Sequence, residues 1–491
     1  MANNSLANIN SVNLKTLVNL VKLNISSNNI NIGDNDTFSG LKNLQILDLN
    51  NNNIIAITKQ LFINNGNLQS LYLSGNPLHT IESYSFEKSR LTNLQLATQY
   101  LTVIEEGTYK DVLAFTLDLS GGSITSIKDE AFLGMSDLKN LDLSSNAVET
   151  ISPLAFKSLT SLNVLDLSHN KLRELNINSN SLGNLKKLSA NDNQIEKIYK
   201  NVFDNLVNML RFKLLNVLNL AINNISNQDD VYLFKHLNSI VDLNISSNPQ
   251  MLIANDAFQN MNHLDTLSLG HIKTRITFEN STASVVVLVA HFCGITDLNN
   301  IFVYNLQNLN FLDVSNNEIT YINNATFKKM KHMMFLDLSD NKISQIQPGT
   351  FLHLTHLRAL SLDINHLQTI QFGVFKGPKA FNILHLFKTK ISSLSIGGNP
   401  LSCQFLAEIK TSNLSETFNK IVKTTPLDYY SENVDGRPCR PTITDRIESN
   451  ANTFEKKFEE LNETLINIRN DFNDQLSQIR AELLKVNKNV V

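Results

Sequence analysis

One spacing constrains this chain more than any other feature: leucines recur on a step of about 24 residues in the frame LxxLxLxxNxL. The frame reads "LVKLNISSNNI" from Leu20, "LQILDLNNNNI" from Leu44 and "LQSLYLSGNPL" from Leu68. It returns as "LKNLDLSSNAV" from Leu138, "LNVLDLSHNKL" from Leu162 and "LNVLNLAINNI" from Leu215. Later copies are "LNFLDVSNNEI" from Leu309, "MMFLDLSDNKI" from Met333 and "LRALSLDINHL" from Leu357. With the degenerate copies included, sixteen units lie between Leu20 and Ile391. Self-similarity at this period marks an array of stacked coils, because one coil cannot bury its apolar side alone.

Each position in the frame has a physical task. The LxL triplet alternates as a short strand, so its leucines face the core and the residue between them faces the concave side. The asparagine turns the chain out of the strand, and its amide can pair buried backbone groups of the next coil. Asparagine is correspondingly abundant, at 70 of 491 residues. A second apolar group closes each convex half: Phe38, Phe62, Phe86, Phe132, Phe156, Phe203, Phe258, Phe327, Phe351 and Phe375. This spacing predicts a phenylalanine ladder behind the sheet.

Several units depart from the frame. The unit at Leu162 continues as "LRELNINSNSLGNL", which is short and lacks the phenylalanine. Between Leu185 and Leu215 the step lengthens by about six residues around "NMLRFK". In the unit at Leu264, Ile272 takes the asparagine's place. The next unit, "VVVLVAHFCGITDL" from Val285, is shortened and puts Cys293 there. Its expected inward set is Val285, Leu288, Ala290, Cys293 and Ile295, which makes Cys293 a buried, inert thiol.

The central units also carry the candidate binding surface. Ala221, Ile222, His271, Val289, His291 and Phe292 stand beside the ladder where other units have small polar residues. Exposed apolar and aromatic side chains on a concave sheet suit a protein ligand. Plain degeneracy of the repeat is the competing explanation. A second candidate is the acidic stripe Asp118, Asp142 and Asp166, three carboxylates about 5 Å apart at strand spacing. A solvated face explains these, and attraction of a basic partner or a cation is the alternative.

Composition narrows the function classes. Net charge is −3 and no basic run is present, so nucleic acid is not an expected partner. The longest apolar run, residues 283–295, falls short of the roughly 20 residues a membrane helix needs. No GxSxG, HExxH, CxxC or phosphate-loop motif occurs, so no catalytic residue, metal or cofactor is expected. The nine N-x-[ST] sequons, Asn24 and Asn244 among them, are the number that such asparagine content gives by chance.

After "GRPCRP" the pattern changes. Apolar residues at Phe454, Phe458, Leu461, Leu465, Ile468, Phe472, Leu476, Ile479 and Leu483 alternate steps of three and four, with one extra four-step at Ile468–Phe472–Leu476. That is a coiled-coil seam with a single stutter. It predicts a homo- or hetero-oligomer through the C-terminal helix; an amphipathic helix folded back on the preceding segment is the other reading.

The frame resembles that of leucine-rich repeat proteins, and the 24-residue units are similar to those of Toll-like receptor ectodomains. "GGNPLSCQFLAEI", ending the array at Cys403, resembles the C-terminal cap of extracellular members. That resemblance implies one disulfide, Cys403 with Cys439. The order of array, cap and helical tail resembles the secreted leucine-rich repeat immune proteins of mosquitoes, although the adjacent cysteine pair before their helix is absent here. The implied fold is an α/β solenoid: a horseshoe with a parallel concave sheet, a short cap and a coiled-coil helix. The expected divisions are a partial repeat at 1–19, the array at 20–401, the cap at 402–441 and the helix at 442–491.

These expectations converge on a non-enzymatic glycoprotein scaffold of innate immunity that binds a protein ligand, microbial ligand or co-receptor. The resemblance implies an extracellular, secreted chain. The N-terminus has no basic segment leading into an apolar one, so upstream sequence bearing a signal peptide and cap is expected. A receptor or adhesion ectodomain, and an intracellular adaptor with reduced cysteines, are the alternatives.

Overall fold

The computed structural model describes most of residues 2–386, the longest omitted stretches being 204–213, 273–283 and 299–305, together with short strands at 393–394, 432–434 and 437–439. Within these residues, sixteen three-residue strands form one parallel sheet in strict chain order, from Lys22–Asn24 to Ile383–His385. Each coil contributes one strand, and the register never slips: Leu47, Leu71, Leu94 and Leu117 stand side by side. Opposite the sheet, two-residue strands such as Ala56–Ile57 and Thr80–Ile81 pair in parallel along the convex half. The fold is thus a leucine-rich repeat solenoid. Cys403, most of the expected cap at 402–441 and the coiled-coil seam from Phe454 to Leu483 lie outside the described residues. Cys439 ends a short antiparallel hairpin, Glu432–Val434 with Arg437–Cys439.

The core is one continuous cluster running from Ile9 to Leu386. The first and third apolar positions of the LxL triplets are buried up to the last strand, where Leu384 is half-buried; at Leu47 and Leu49 both are buried, while Asp48 between them is only half-buried. Behind them the aromatic ladder stacks as its spacing requires. Phe38–Phe62 and Phe62–Phe86 have ring centroids 6.0 and 6.3 Å apart. Phe327–Phe351 and Phe351–Phe375 repeat this at 6.0 and 6.2 Å.

One rung of the ladder is a tyrosine. Tyr109 lies between Phe86 and Phe132, at 6.4 and 5.7 Å, with its ring nearly parallel to both. Its hydroxyl is buried without a hydrogen-bond partner, and burial pushes its ionisation well above the usual tyrosine range. An unpaired buried hydroxyl costs about 1–3 kcal/mol. Tyr109→Phe is therefore expected to raise unfolding stability by about 1 kcal/mol, read as a higher urea midpoint at constant slope. A lower midpoint would mean that the hydroxyl is paired after all.

The asparagines stitch adjacent coils. Asn76 Nδ2 donates to the carbonyls of Leu49 and Leu73 at 2.9 and 2.8 Å, and its Oδ1 accepts the N–H of Ile54 at 3.0 Å. Asn170, Asn341 and Asn365 repeat the arrangement. Each one satisfies backbone groups of its own coil and of the coil before it, at a bend where the ladder cannot.

Candidate ligand-binding face

The residue before each asparagine takes the left-handed conformation throughout the described coils, from Ser27 (φ 54°) through Gly75 and Asp340 to Ile364 (φ 50°). Glycine, asparagine and aspartate tolerate this region; other residues are strained there by roughly 1–2 kcal/mol. Three of the sequence-selected residues occupy this position: Ile222 (φ 56°), His271 (φ 63°) and Phe292 (φ 53°). Ile222 and Phe292 are also exposed, at 53% and 45%. A β-branched residue and an aromatic one thus hold an unfavourable backbone and an unfavourable hydration at the same turn.

His271 and Phe292 stack at 4.5 Å between centroids, with planes 12° apart. His291 meets both edge-on, at 5.3 and 5.9 Å. Its ring rests against the backbone of Gly270, where an added Cβ would sit 2.6 Å from Nε2, so only glycine permits the approach. His291 Nδ1 lies 3.4 Å from Asp313 Oδ2. Burial raises Asp313, but hydrogen bonds from His291 and Ser315 outweigh it and hold the carboxyl below its ordinary range. Burial and the neighbouring His291 lower His271, which keeps that ring neutral at pH 7.

Two of the six expected surface residues are not surface at all. Ala221 is 5% exposed and Val289 is 6%. Ala221 occupies the column two residues before the asparagine, where Ser168 and Ser315 are buried too, because the chain is already turning inward. Val289 lies in the middle of the sheet between Ser268 and Asp313, and Ser189 in the same column is equally shaded. Short side chains there sit below the level of their neighbours.

The acidic stripe has a structural task. Asp118, Asp142 and Asp166 stand in register on adjacent strands. Each uses Oδ1 to accept the N–H two residues on, from Ser120, Ser144 and Ser168, at 2.9, 2.9 and 3.0 Å. Asn24 and Asn244 do the same for Ser26 and Ser246. The carboxylates close the turn that leaves the strand, as short polar side chains commonly do.

A second concave column escaped the sequence reading. Strand alternation puts the residue before the first ladder leucine on the concave face as well. There Val287, Phe311 and Phe335 lie in register, half-buried, with the two rings 6.3 Å apart. The signal was present as "FLDVS" and "FLDLS", 24 residues apart.

Around this surface, the asparagine stitching is interrupted for two coils. Ile272 is fully buried, and the Cys293 thiol offers only long contacts to the carbonyls of Leu269 and His291, at 3.3 and 3.4 Å. Burial pushes that thiol up to about 11, so it is not a nucleophile at neutral pH. Asn317 bridges the interruption by accepting the N–H groups of both Cys293 and Ile295.

Parts of the sequence match two family models: leucine rich repeat, over residues 116–172, 284–341 and 307–367, and BspA type leucine rich repeat region, over residues 2–116 and 184–285. Among solved structures, the TLR13–ssRNA13 complex is similar with a TM-score of 0.57 and 24% identity, covering 85% of this chain and 56% of that one. A leucine-rich repeat protein of Leptospira interrogans is similar at 0.54 and 24%, covering 84% of this chain and 91% of its own. The Toll–Spätzle complex of Drosophila is similar at 0.56 and 18%, covering 84% and 60%. The likeness at these identities is one of fold. No curated protein matches the sequence. Among the described residues, no helix is long and apolar enough to cross a membrane.

Proposed function

We propose that this leucine-rich repeat protein is a non-catalytic recognition scaffold of innate immunity, secreted, whose central concave face binds a protein ligand. The observation that carries the reading is the exposed set Ile222, His271 and Phe292, held in left-handed turns where asparagine or glycine would be more stable. Ile364 holds the same exposed left-handed position in a later coil, so the central surface is singled out by its ring cluster, His271 stacked on Phe292 at 4.5 Å with His291 edge-on to both. Phe311 and Phe335 extend the same surface along the sheet. Across the concave columns carboxylates outnumber the lysines Lys22 and Lys187, which favours a protein over the phosphate backbone of a nucleic acid.

Panning a displayed random peptide library on the full chain tests this. Binders are expected to be enriched and then lost on the double variant Ile222→Asn, Phe292→Asn. Asparagine already occupies that turn at Asn51 and Asn316, so the variant should be at least as stable as the parent. Lost binding would therefore not reflect unfolding. Binders indifferent to both substitutions, or no enrichment, would remove the reading.

The C-terminal seam supports a further part of the proposal, oligomerisation through a coiled coil. Light scattering should give the full chain at least twice the protomer number of a 1–440 truncation. Equal numbers would sink it.

A further inference from the structure

We propose that the concave face around the strands Phe311–Asp313 and Phe335–Asp337 seats an arginine side chain of the protein ligand, flanked by apolar residues. This rests on the recognition reading and names the chemistry of the partner. Phe311 pairs with Phe335 and Asp313 with Asp337 across two parallel strands. Within each strand the aromatic and the carboxylate are two residues apart, so all four share one face. They mark the corners of a rectangle about 4.8 Å by 6.8 Å at strand spacing. Val287 and Met334, both half-buried, adjoin the phenylalanines.

The charge on this rectangle is only partly matched by cations. Asp313 accepts from the N–H and hydroxyl of Ser315 at 3.0 and 2.7 Å, and among the described residues its ion-pair contact is the 3.4 Å one to His291, while Asp337 has no cationic group within 4.0 Å. Asp337 accepts the N–H of Ser339 at 2.9 Å but lies beside Asp313 and near Asp363. Burial and those two like charges raise its carboxyl above the ordinary range, against the hydrogen bonds from Ser339. A cation placed here would relieve that repulsion. Arginine fits better than a metal or a lysine because its weakly hydrated plane stacks on aromatic rings and its donors fork onto carboxylates. The acidic stripe at Asp118, Asp142 and Asp166 provides the contrast: its strands begin with Thr116, Asn140 and Val164, so it offers charge without rings.

The test uses the full chain and a short fluorescein-labelled peptide alternating leucine and arginine, with its citrulline counterpart as the uncharged control. Fluorescence anisotropy at about 0.15 M salt keeps diffuse attraction low. Asp337→Asn preserves the turn, since Asn24 and Asn244 already make it. Phe335→Thr is equally compatible, since Thr116 and Thr266 occupy that column. The arginine peptide is expected to bind, and each substitution to weaken it about ten-fold, as loss of a cation–aromatic or carboxylate contact implies. Citrulline should weaken it at least as much, and Asp142→Asn should leave it unchanged. The inference is overturned by an absence of binding, by citrulline binding equally, or by Asp142→Asn weakening binding as much as Asp337→Asn. Library binders lost on the Ile222→Asn, Phe292→Asn variant but indifferent to Asp337→Asn and Phe335→Thr would overturn this inference and leave the recognition reading standing.

Discussion

Phe132→Ala is expected to lower unfolding stability by about 3–5 kcal/mol. The ring is fully buried and contributes to two rungs of the ladder, at 5.7 Å from Tyr109 and 5.8 Å from Phe156. Removing it opens a cavity that the flanking coils cannot fill, because each is held in register by the sheet on the opposite side. Two aromatic pairs are lost with it, at about 0.5–1.5 kcal/mol each. In an array, each coil contacts only its neighbours, so the damage also bears on cooperativity. Equilibrium unfolding in urea should show a lower midpoint and a shallower or divided transition. A loss below about 1 kcal/mol would contradict the ladder as a source of stability.

Asn248→Ala is expected to cost about 2–4 kcal/mol. The side chain is fully buried; Nδ2 donates to the carbonyls of Leu220 and Ile245, both at 2.9 Å, and Oδ1 accepts the N–H of Ile225 at 3.1 Å. Leu220 keeps a second donor in Asn223, but Ile245 and Ile225 lose this partner. Each stranded buried group costs about 1–3 kcal/mol. The site is sensitive because the next coil has Ile272 in the same place, so the substitution widens an existing interruption. Asn248→Asp keeps the acceptor but sets a buried carboxylate oxygen against the carbonyls of Leu220 and Ile245, and should cost at least as much. Amide exchange at Ile225, faster in the alanine variant than in the parent, would localise the effect.

The periodic part of this architecture was legible because a 24-residue step assigns every residue to a column, and the column decides whether it faces inward. The inward set of the shortened coil, Val285, Leu288, Ala290, Cys293 and Ile295, is buried for that reason. What the period does not encode is how far one column shades another. Ala221 and Val289 are hidden by that shading. Phe311 and Phe335 were missed for a simpler reason: only the residue between the ladder leucines was read as concave, although strand alternation exposes the residue before them equally. Tyr109 escaped the ladder because the step shortens to 23 residues on both sides of it. His271 and His291 were read as members of one surface, without the contact between them. Their shared stacking on Phe292 depends on Gly270, whose role is visible only once the ring is seen lying on its backbone.

The central claim, a protein-binding face at the middle of the concave side, is tested most directly by position-specific photocrosslinking. A benzoylphenylalanine replaces Phe292 in one variant and Leu352 in another, the latter exposed beside Phe351 on the convex half. Both variants are irradiated with the same library-selected binder. The account predicts a covalent adduct from position 292 and none from position 352. Adducts from position 352, with none from 292, would contradict it.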